Sequence, residues 1–553
     1  MPLHSDSEPQ PPIVKWIERG IISSLFLIVL FAPHSIAVTQ IGWGLGLALC
    51  LLRLTIYPRP TFFRTPVDYA LLGFFVLSGV SSIFSYSPVI SIGKMRAASL
   101  FTIVYLFAQN VRSIRLAQLL AFALVGSCMV NVLLTAEQLA FGKGVKLEGI
   151  RADSPLAKAV FHVRTNLAPT PIVSGDIVWA VDGVRVNTPE EIASALAAGP
   201  PIAKVSIYHI EWTPTLEVPR AKLLPGNSAL EQLGATSWSR GRDWRATGFY
   251  GHWVTYAEVI QLIASLALGL FLGLSQKLSR TGILLGIAVV GLVFALGMSV
   301  TRASWAGFAV SAALMLMLSV SRRTLLIVGA CAIPLVFAAV VVLQQKRSVG
   351  FFDKKDQSTT WREQVWKEGF HLLISNPRHL VVGVGMDSIK AYWRKWGMFD
   401  NGRLPIGHMH SNLLQFALER GVPALIVWLI LIGVYARMLF RMIRAPASPV
   451  GAQQYGFDNF PRALALGALG GLAGFFTSGL VHYNWGDSEV VMVLYLIMGL
   501  SLAVERISRA NMDLQRLNTG LRYSTFAALK ASNSSLKSGL IGLVPSPGHT
   551  NLG

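Results

Sequence analysis

Five short stretches of this chain carry residue types and spacings that could do chemistry. The richest is Gly407-His408-Met409-His410-Ser411-Asn412, followed by Gln415, Glu419, Gly421 and Pro423. An imidazole titrates near pH 6.5 (about its free value), so His410 or His408 could take a proton from a sugar hydroxyl. Two histidines two apart share a side of an extended segment and could instead hold zinc. No Asp, Glu or Cys stands close by in the sequence to complete such a site. The plainest alternative is a pair of polar loop residues. The second stretch is Thr301-Arg302-Ala303-Ser304-Trp305, where Arg302 interrupts two long apolar runs. An arginine at the centre of a bilayer costs about 2.5–3.5 kcal/mol, and less near an interface. Its guanidinium either grips a phosphate with two parallel bonds or snorkels to the headgroups. The remaining three are Arg245-Ala246-Thr247-Gly248-Phe249-Tyr250-Gly251-His252, Trp361-Arg362-Glu363-Gln364-Val365-Trp366, and His482-Tyr483-Asn484-Trp485-Gly486-Asp487.

What must position these residues is a membrane-embedded scaffold. The chain is 53% hydrophobic and only 14% charged, against about 25% charged in ordinary soluble domains. A spanning helix needs about 20 mostly apolar residues, and many segments meet that test. We read about twelve spans, at residues 20–33, 37–56, 67–84, 95–109, 116–135, 252–274, 281–299, 303–320, 324–343, 422–440, 462–481 and 488–504. The fold class expected is therefore an all-α polytopic membrane protein. Cys50, Cys128 and Cys331 all lie in apolar runs and read as inert small hydrophobes. Lys15 and Arg19 precede a short apolar run, as in a signal peptide, but a second run follows at once. A retained first helical hairpin is the better reading.

The net charge of +20 would suit nucleic acid, but much of the excess sits in short loops between apolar runs. Arg53, Arg59 and Arg64, then Arg112 and Arg115, Lys277 and Arg280, Arg322 and Arg323, and Arg437, Arg441 and Arg444 fall on one side when every span is counted. That is the signature of cytoplasmic loops. Nucleic acid is set aside as a partner, and both termini are expected in the cytoplasm. All five chemical stretches then lie at the outer face. Two long outer segments remain, at roughly 140–250 and 345–420. The second is basic (Lys346, Arg362, Arg378, Lys390 and Arg403 among others), which fits a bound anion or simply a long loop that crosses regardless of charge.

Inside the first outer segment the pattern changes to strand-like alternation. Val178–Val181 and Val184–Val186 flank Asp182-Gly183, a strong hairpin signal because both turn residues need positive φ. Thr188-Pro189-Glu190-Glu191 starts a helix with a capping box and proline at its first position. It ends at Gly199-Pro200-Pro201, and a last strand is expected at Lys204–Ile210. Ser154–Ala159 and Gly175–Gly183 make this block resemble a bacterial PDZ domain, with a longer stretch than usual at Val160–Ser174. The resemblance implies a small α+β domain at residues 141–225 and a peptide partner bound at a sheet edge. A degenerate structural insertion is the alternative.

The ordered set of outer-face motifs over residues 240–505 resembles the O-antigen ligase and polymerase superfamily of bacterial envelope glycosyltransferases, whose membrane fold is GT-C-like. The His-x-His-Ser-Asn block is its most specific part. Ser411 stands between His410 and Asn412 where the family usually has His-Asn, and Thr301-Arg302-Ala303 replaces Ser-Arg-Gly. The resemblance implies transfer of a glycan from an undecaprenyl-diphosphate carrier to a hydroxyl acceptor, as in lipopolysaccharide biosynthesis. The acceptor would be a glycan, a lipid A-core or a protein, the site would face the periplasm at the inner membrane, and membrane lipids would surround it. His410 is implied as base on the acceptor. Arg302 and Arg245 are implied to hold the diphosphate, with Arg362, His408, Asn412 and Asp487 as further substrate-binding residues. No cofactor or metal is expected. The division expected is residues 1–140 as the first five spans, 141–225 as the PDZ-like domain, 226–505 as the later spans with a catalytic loop at 345–420, and 506–553 as a flexible cytoplasmic tail. A transporter or channel with a regulatory outer domain, or a scaffold recruiting a partner, are the competing readings.

Overall fold

Hydrocarbon offers no water to pair backbone N–H and C=O groups, so apolar runs in a bilayer must close their hydrogen bonds internally. Every expected run is helical in the computed structural model, which describes residues 11–161, 171–209, 213–220, 223–242, 244–347, 357–445, 457 and 459–513. Among the described residues nine helices are long and apolar enough to cross a membrane: Ile36–Thr55, Pro88–Asn110, Ile114–Phe141, Trp253–Leu272, Arg280–Met298, Arg302–Ser319, Val422–Arg444, Phe460–Gly479 and Ser488–Asp513. Three expected spans fall short of that measure. The helix Pro12–Phe31 begins with Lys15, Glu18 and Arg19, and Asp68–Ile83 has only 16 residues. Arg322–Arg347 is helical and carries Pro334 inside it. The architecture is that of a mostly helical polytopic membrane protein with one small sheet.

Glycines let three of these spans touch backbone to backbone. A Cβ on Gly269 would lie 2.2 Å from the Cα of Gly467, and one on Gly307 would lie 2.6 Å from the carbonyl oxygen of Gly474. Small residues take this role in membranes because lipid tails are as apolar as leucine, so helices gain little except by close packing. The effect is to lock Trp253–Leu272, Arg302–Ser319 and Phe460–Gly479 together. These same three helices lead directly into the motif-bearing turns.

Among the described residues the strand-bearing block is a seven-stranded sheet. Its strands are β1 (Val145–Glu148), β2 (Val160–Phe161), β3 (Ile177–Val181), β4 (Val184–Arg185), β5 (Ile202–Tyr208), β6 (Thr215–Pro219) and β7 (Ser237–Arg240). The order is β2-β6-β5-β3-β1-β7, with β4 paired to β3. Asp182 and Gly183 have φ of +50° and +81° and close the β3–β4 hairpin, as their types predict. Thr188 caps the helix Pro189–Ala197 by accepting from Glu191 N at 3.3 Å. Strand β5 starts two residues earlier than expected, and the expected end at Ile210 lies outside the described residues. The sheet also runs past residue 225, because β7 pairs antiparallel with β1 through all four residues. Strand β7 is exposed along its whole length, so it carries no alternation to read. Much of the Val160–Ser174 stretch, residues 162–170, lies outside the described residues.

The sheet is anchored onto the bundle through aromatics. Trp244 donates its indole N–H to Lys143 O at 2.8 Å, and the Tyr208 ring lies 4.7 Å from that of Trp244 and 6.3 Å from that of Trp253. At the other end of the chain the last helix continues through Asp513 rather than stopping at 506. The rest of the expected tail lies outside the described residues.

Candidate functional site

The His408–His410 loop is held at both flanks. Ser411 caps the helix Asn412–Arg420 through Leu414 N at 3.5 Å, and Gly421, with φ +86°, ends it. On the other flank Met409 N donates to Gln415 Oε1 at 2.6 Å, and Met409 O accepts from Trp366 Nε1 at 2.7 Å. Between these fixed points His410 sits at φ +47°, a left-handed conformation that non-glycine residues adopt at a cost of about 1–3 kcal/mol, commonly at functional sites. The helix Gln357–Ile374 supplies Trp361, whose ring lies edge-on to His410 at 4.3 Å.

A third imidazole joins this pair from a different loop. His482 lies 5.4 Å from His408 and 5.5 Å from His410, ring centre to ring centre, while His408 and His410 are 4.0 Å apart. The turn carrying His482 is fixed by Asn412, which donates to Asn484 Oδ1 at 2.6 Å and accepts from Trp485 N at 3.3 Å. Asn484 in turn donates to Phe475 O and Ser478 Oγ. Two asparagines far apart in the chain thus clamp the two histidine loops together.

The start of the Trp253–Leu272 helix forms the wall beneath. His252, Thr255 and Glu258 are three residues apart and so share one helical face. Thr255 donates to Asp487 Oδ2 at 2.9 Å, and Glu258 Oε1 lies 2.8 Å from His482 Nδ1. Both members of the second pair are buried, at 1% and 7% side-chain exposure.

Two of the expected arginines meet at the neighbouring turn. Arg245 donates to Ser299 O at 2.9 Å, to Val300 O at 2.5 Å and to Thr301 Oγ1 at 3.3 Å, while its guanidinium stacks 4.7 Å from the Trp253 ring. Val300 has φ +51°, rare for a β-branched residue. Arg245 therefore pins a strained turn. Arg302 is the first residue of the helix that follows, half-buried beside Thr301.

Burial and mutual repulsion decide the charge states. Burial, then His482, Lys390, His252 and Arg362, push His408 down to about 3. His410 is driven lower still by burial, His408, His482 and Arg362. Its Nδ1 is buried with no hydrogen-bond partner among the described residues, so a neutral ring with a lone pair to offer is the stable form. His408 Nδ1 accepts from His410 N at 3.2 Å. His482 goes the other way: burial alone would lower it, but the Glu258 carboxylate and then Asp487 raise it above an ordinary histidine. His252 is lowered, mainly by burial.

The fold therefore gathers His408, His410, Arg362 and Asp487 around one cluster, with Arg245 and Arg302 sharing the adjacent turn. Asn412 is buried at 1% exposure, and both ends of its amide are engaged by the protein, so its geometry is that of a clamp. His482 was visible as part of a motif, yet nothing in sequence tied it to the His408 loop. Glu258 was missed. It is the only acidic or basic residue in Trp253–Leu272, and a lone carboxylate in a span is a functional signal in itself. Ligand atoms of His408, His410 and His482 lie within 4.8 Å of one another, as do those of Glu258, His482 and Asp487. Either group could hold a metal ion by distance, and the tertiary fold supplies the third ligand that the sequence lacked.

Residues 287–429 match the protein-family model described as O-Antigen ligase. The resemblance to that superfamily, a family of glycan-transferring enzymes, holds over this part of the chain. The matched stretch contains Arg302, Arg362, His408, His410 and Asn412, and leaves Arg245, Glu258, His482 and Asp487 outside it. No curated protein matches the chain.

Proposed function

We propose that this protein moves a glycan from an undecaprenyl-diphosphate carrier to a hydroxyl acceptor at the periplasmic face of the bacterial inner membrane. The observation that carries this reading is the cluster of His408, His410 and His482 at the end of the spans, with Arg362 beside it. In the proposed step the acceptor oxygen attacks the anomeric carbon while its proton passes to His410. The bond from that carbon to the diphosphate oxygen breaks, and the diphosphate leaves with the electron pair. A lipid diphosphate leaves readily once its charge is held, so positioning and electrostatics can supply much of the rate.

Arg302 and Arg362 are the proposed partners of the diphosphate, and Arg245 acts by holding the turn that presents Arg302. Asp487 orients the outer end of the Trp253–Leu272 helix through Thr255. His408 supports the His410 backbone. The sheet-bearing block is proposed as a PDZ-like recruitment module. Purified protein incubated with a labelled undecaprenyl-diphosphate glycan and separate lipid A-core, polysaccharide and protein acceptors tests the reading. The product distinguishes a ligase from a polymerase or a protein-glycosylating enzyme. No turnover with any acceptor sinks it in favour of a transporter or a scaffold.

A further inference from the structure

Both carboxylate oxygens of Glu258 are buried with no hydrogen-bond partner among the described residues, and so is Nδ1 of His482. Yet Glu258 Oε1 and His482 Nδ1 stand only 2.8 Å apart. The two atoms are close enough for a hydrogen bond and are not aligned for one. Two lone pairs bound to one ion need no such alignment, and at about 2.0–2.2 Å from the ion neighbouring ligands stand about 3 Å from each other. A ligand atom of Asp487 completes the group, all three lying within 4.8 Å of one another. We propose that Glu258, His482 and Asp487 hold a divalent cation whose open positions take oxygens of the donor's diphosphate. Such an ion departs from the metal-free chemistry that the family resemblance implies. Its role, though not its binding, rests on the glycan transfer proposed above.

Charge and position both favour this group. Glu258 is 1% exposed and is the sole charged residue of the Trp253–Leu272 helix. A carboxylate removed from water is strongly unfavourable unless a cation meets it. One divalent ion neutralises Glu258 and Asp487 together. Thr255 donates to Asp487 Oδ2 at 2.9 Å, the kind of outer contact that aims a ligating carboxylate. Asn412 donates to Asn484 Oδ1 and accepts from Trp485 N, so the turn carrying His482 and Asp487 is fixed by the protein itself. An imidazole with two carboxylates is a mixed nitrogen and oxygen set that suits Mn²⁺ or Zn²⁺ and leaves coordination positions open. An ion held there counters the charge of the departing diphosphate as a Lewis acid. The other set within reach, His408, His410 and His482, brings no negative charge to balance an ion. His408 Nδ1 also already accepts from His410 N at 3.2 Å. His410, 5.5 Å from His482 ring to ring, thus stays outside the ligand set as the proposed base.

Full-length protein in phosphatidylcholine nanodiscs, stripped with a chelator and titrated with Mn²⁺ while EPR follows the free ion, tests the site. Wild type is expected to take up a single equivalent. Glu258→Gln, His482→Gln and Asp487→Asn are expected to bind at least about tenfold more weakly, since even the partners behind a metal ligand are worth about 10–100-fold. His410→Ala is expected to bind Mn²⁺ as wild type does. Pulsed EPR of Mn²⁺-loaded wild type needs no folded variant, and is expected to show a single imidazole nitrogen coupled to the ion. No bound Mn²⁺, coupling to more than one imidazole, or unchanged affinity in Glu258→Gln overturns the site. Stripped wild type is expected to transfer glycan at least about tenfold more slowly than the Mn²⁺-loaded protein. Undiminished transfer after stripping sinks the role of the ion and leaves glycan transfer standing. Mn²⁺ held through one imidazole in a protein inactive with every acceptor sinks the transfer reading and supports the site alone.

Discussion

Nδ1 of His482 and Oε1 of Glu258 are 2.8 Å apart, although 224 positions separate them in the chain by subtraction of their numbers. One sits in a turn between two spans and the other inside a third. Their meeting depends on Gly269 and Gly467, which let those spans touch. The charge arrangement of the site is therefore a property of helix packing, and several expectations follow from that dependence.

His410→Ala removes a ring whose buried Nδ1 has no hydrogen-bond partner among the described residues. Transfer is expected to fall by about 10²–10⁴-fold, the usual worth of a positioned base, with membrane insertion unchanged. Radiolabelled product formation alongside detergent gel filtration checks both halves. Near-normal transfer would remove His410 from the mechanism.

Arg302→Lys is expected to lose most activity while keeping the charge. A compact ammonium cannot reproduce the planar fork that grips two phosphate oxygens. Wild-type rates in this variant would mean that Arg302 merely reaches the headgroups.

Asn412→Ala leaves Asn484 Oδ1 and Trp485 N without their present partner. An unpaired buried polar group costs about 1–3 kcal/mol. A lower unfolding temperature in detergent, together with reduced transfer, is the expected result. A variant as stable as wild type would refute the clamp.

Gly269→Ala would place a Cβ 2.2 Å from Gly467, which only a backbone shift can relieve. Overpacking of this kind costs about 1–3 kcal/mol. Because Glu258 and the His482 turn ride on the two helices involved, transfer should decline more than stability does. Comparing the thermal midpoint with the transfer rate separates the two effects.

Stability should also depend on pH through His408. Burial holds its folded form at about 3, below the unfolded value of about 6.5. A depressed folded value means that the stabilisation is complete above the unfolded value. It is lost as pH falls, because the unfolded chain then binds the proton more readily. Unfolding temperatures measured from neutral pH down to about 4 should decline in wild type, and less steeply in His408→Asn.

Much of the scaffold was legible without coordinates. Apolar runs of spanning length announce helices whatever surrounds them, and Asp182-Gly183 and Thr188-Pro189 specify a turn and a cap through local backbone chemistry alone. The His408–His410 motif was legible too, since Ser411 and Gly421 punctuate its helix. Strand β7 was not, because an exposed strand has no burial pattern and is defined only by its partner β1. Glu258 was legible as a lone carboxylate in a span, but its partner His482 was not, because the two meet only through helix packing.

The sequence by itself determined which segments form long apolar helices, where the β3–β4 turn falls, and that His410 and Arg302 stand at helix ends. Those features depend on hydropathy and on interactions within a few residues. Tertiary structure alone decided that His482 completes the cluster, that Asn412 joins two loops, and that Arg245 holds the turn before Arg302. It also decided that His482 meets Glu258 at 2.8 Å, because that contact arises from how distant helices pack.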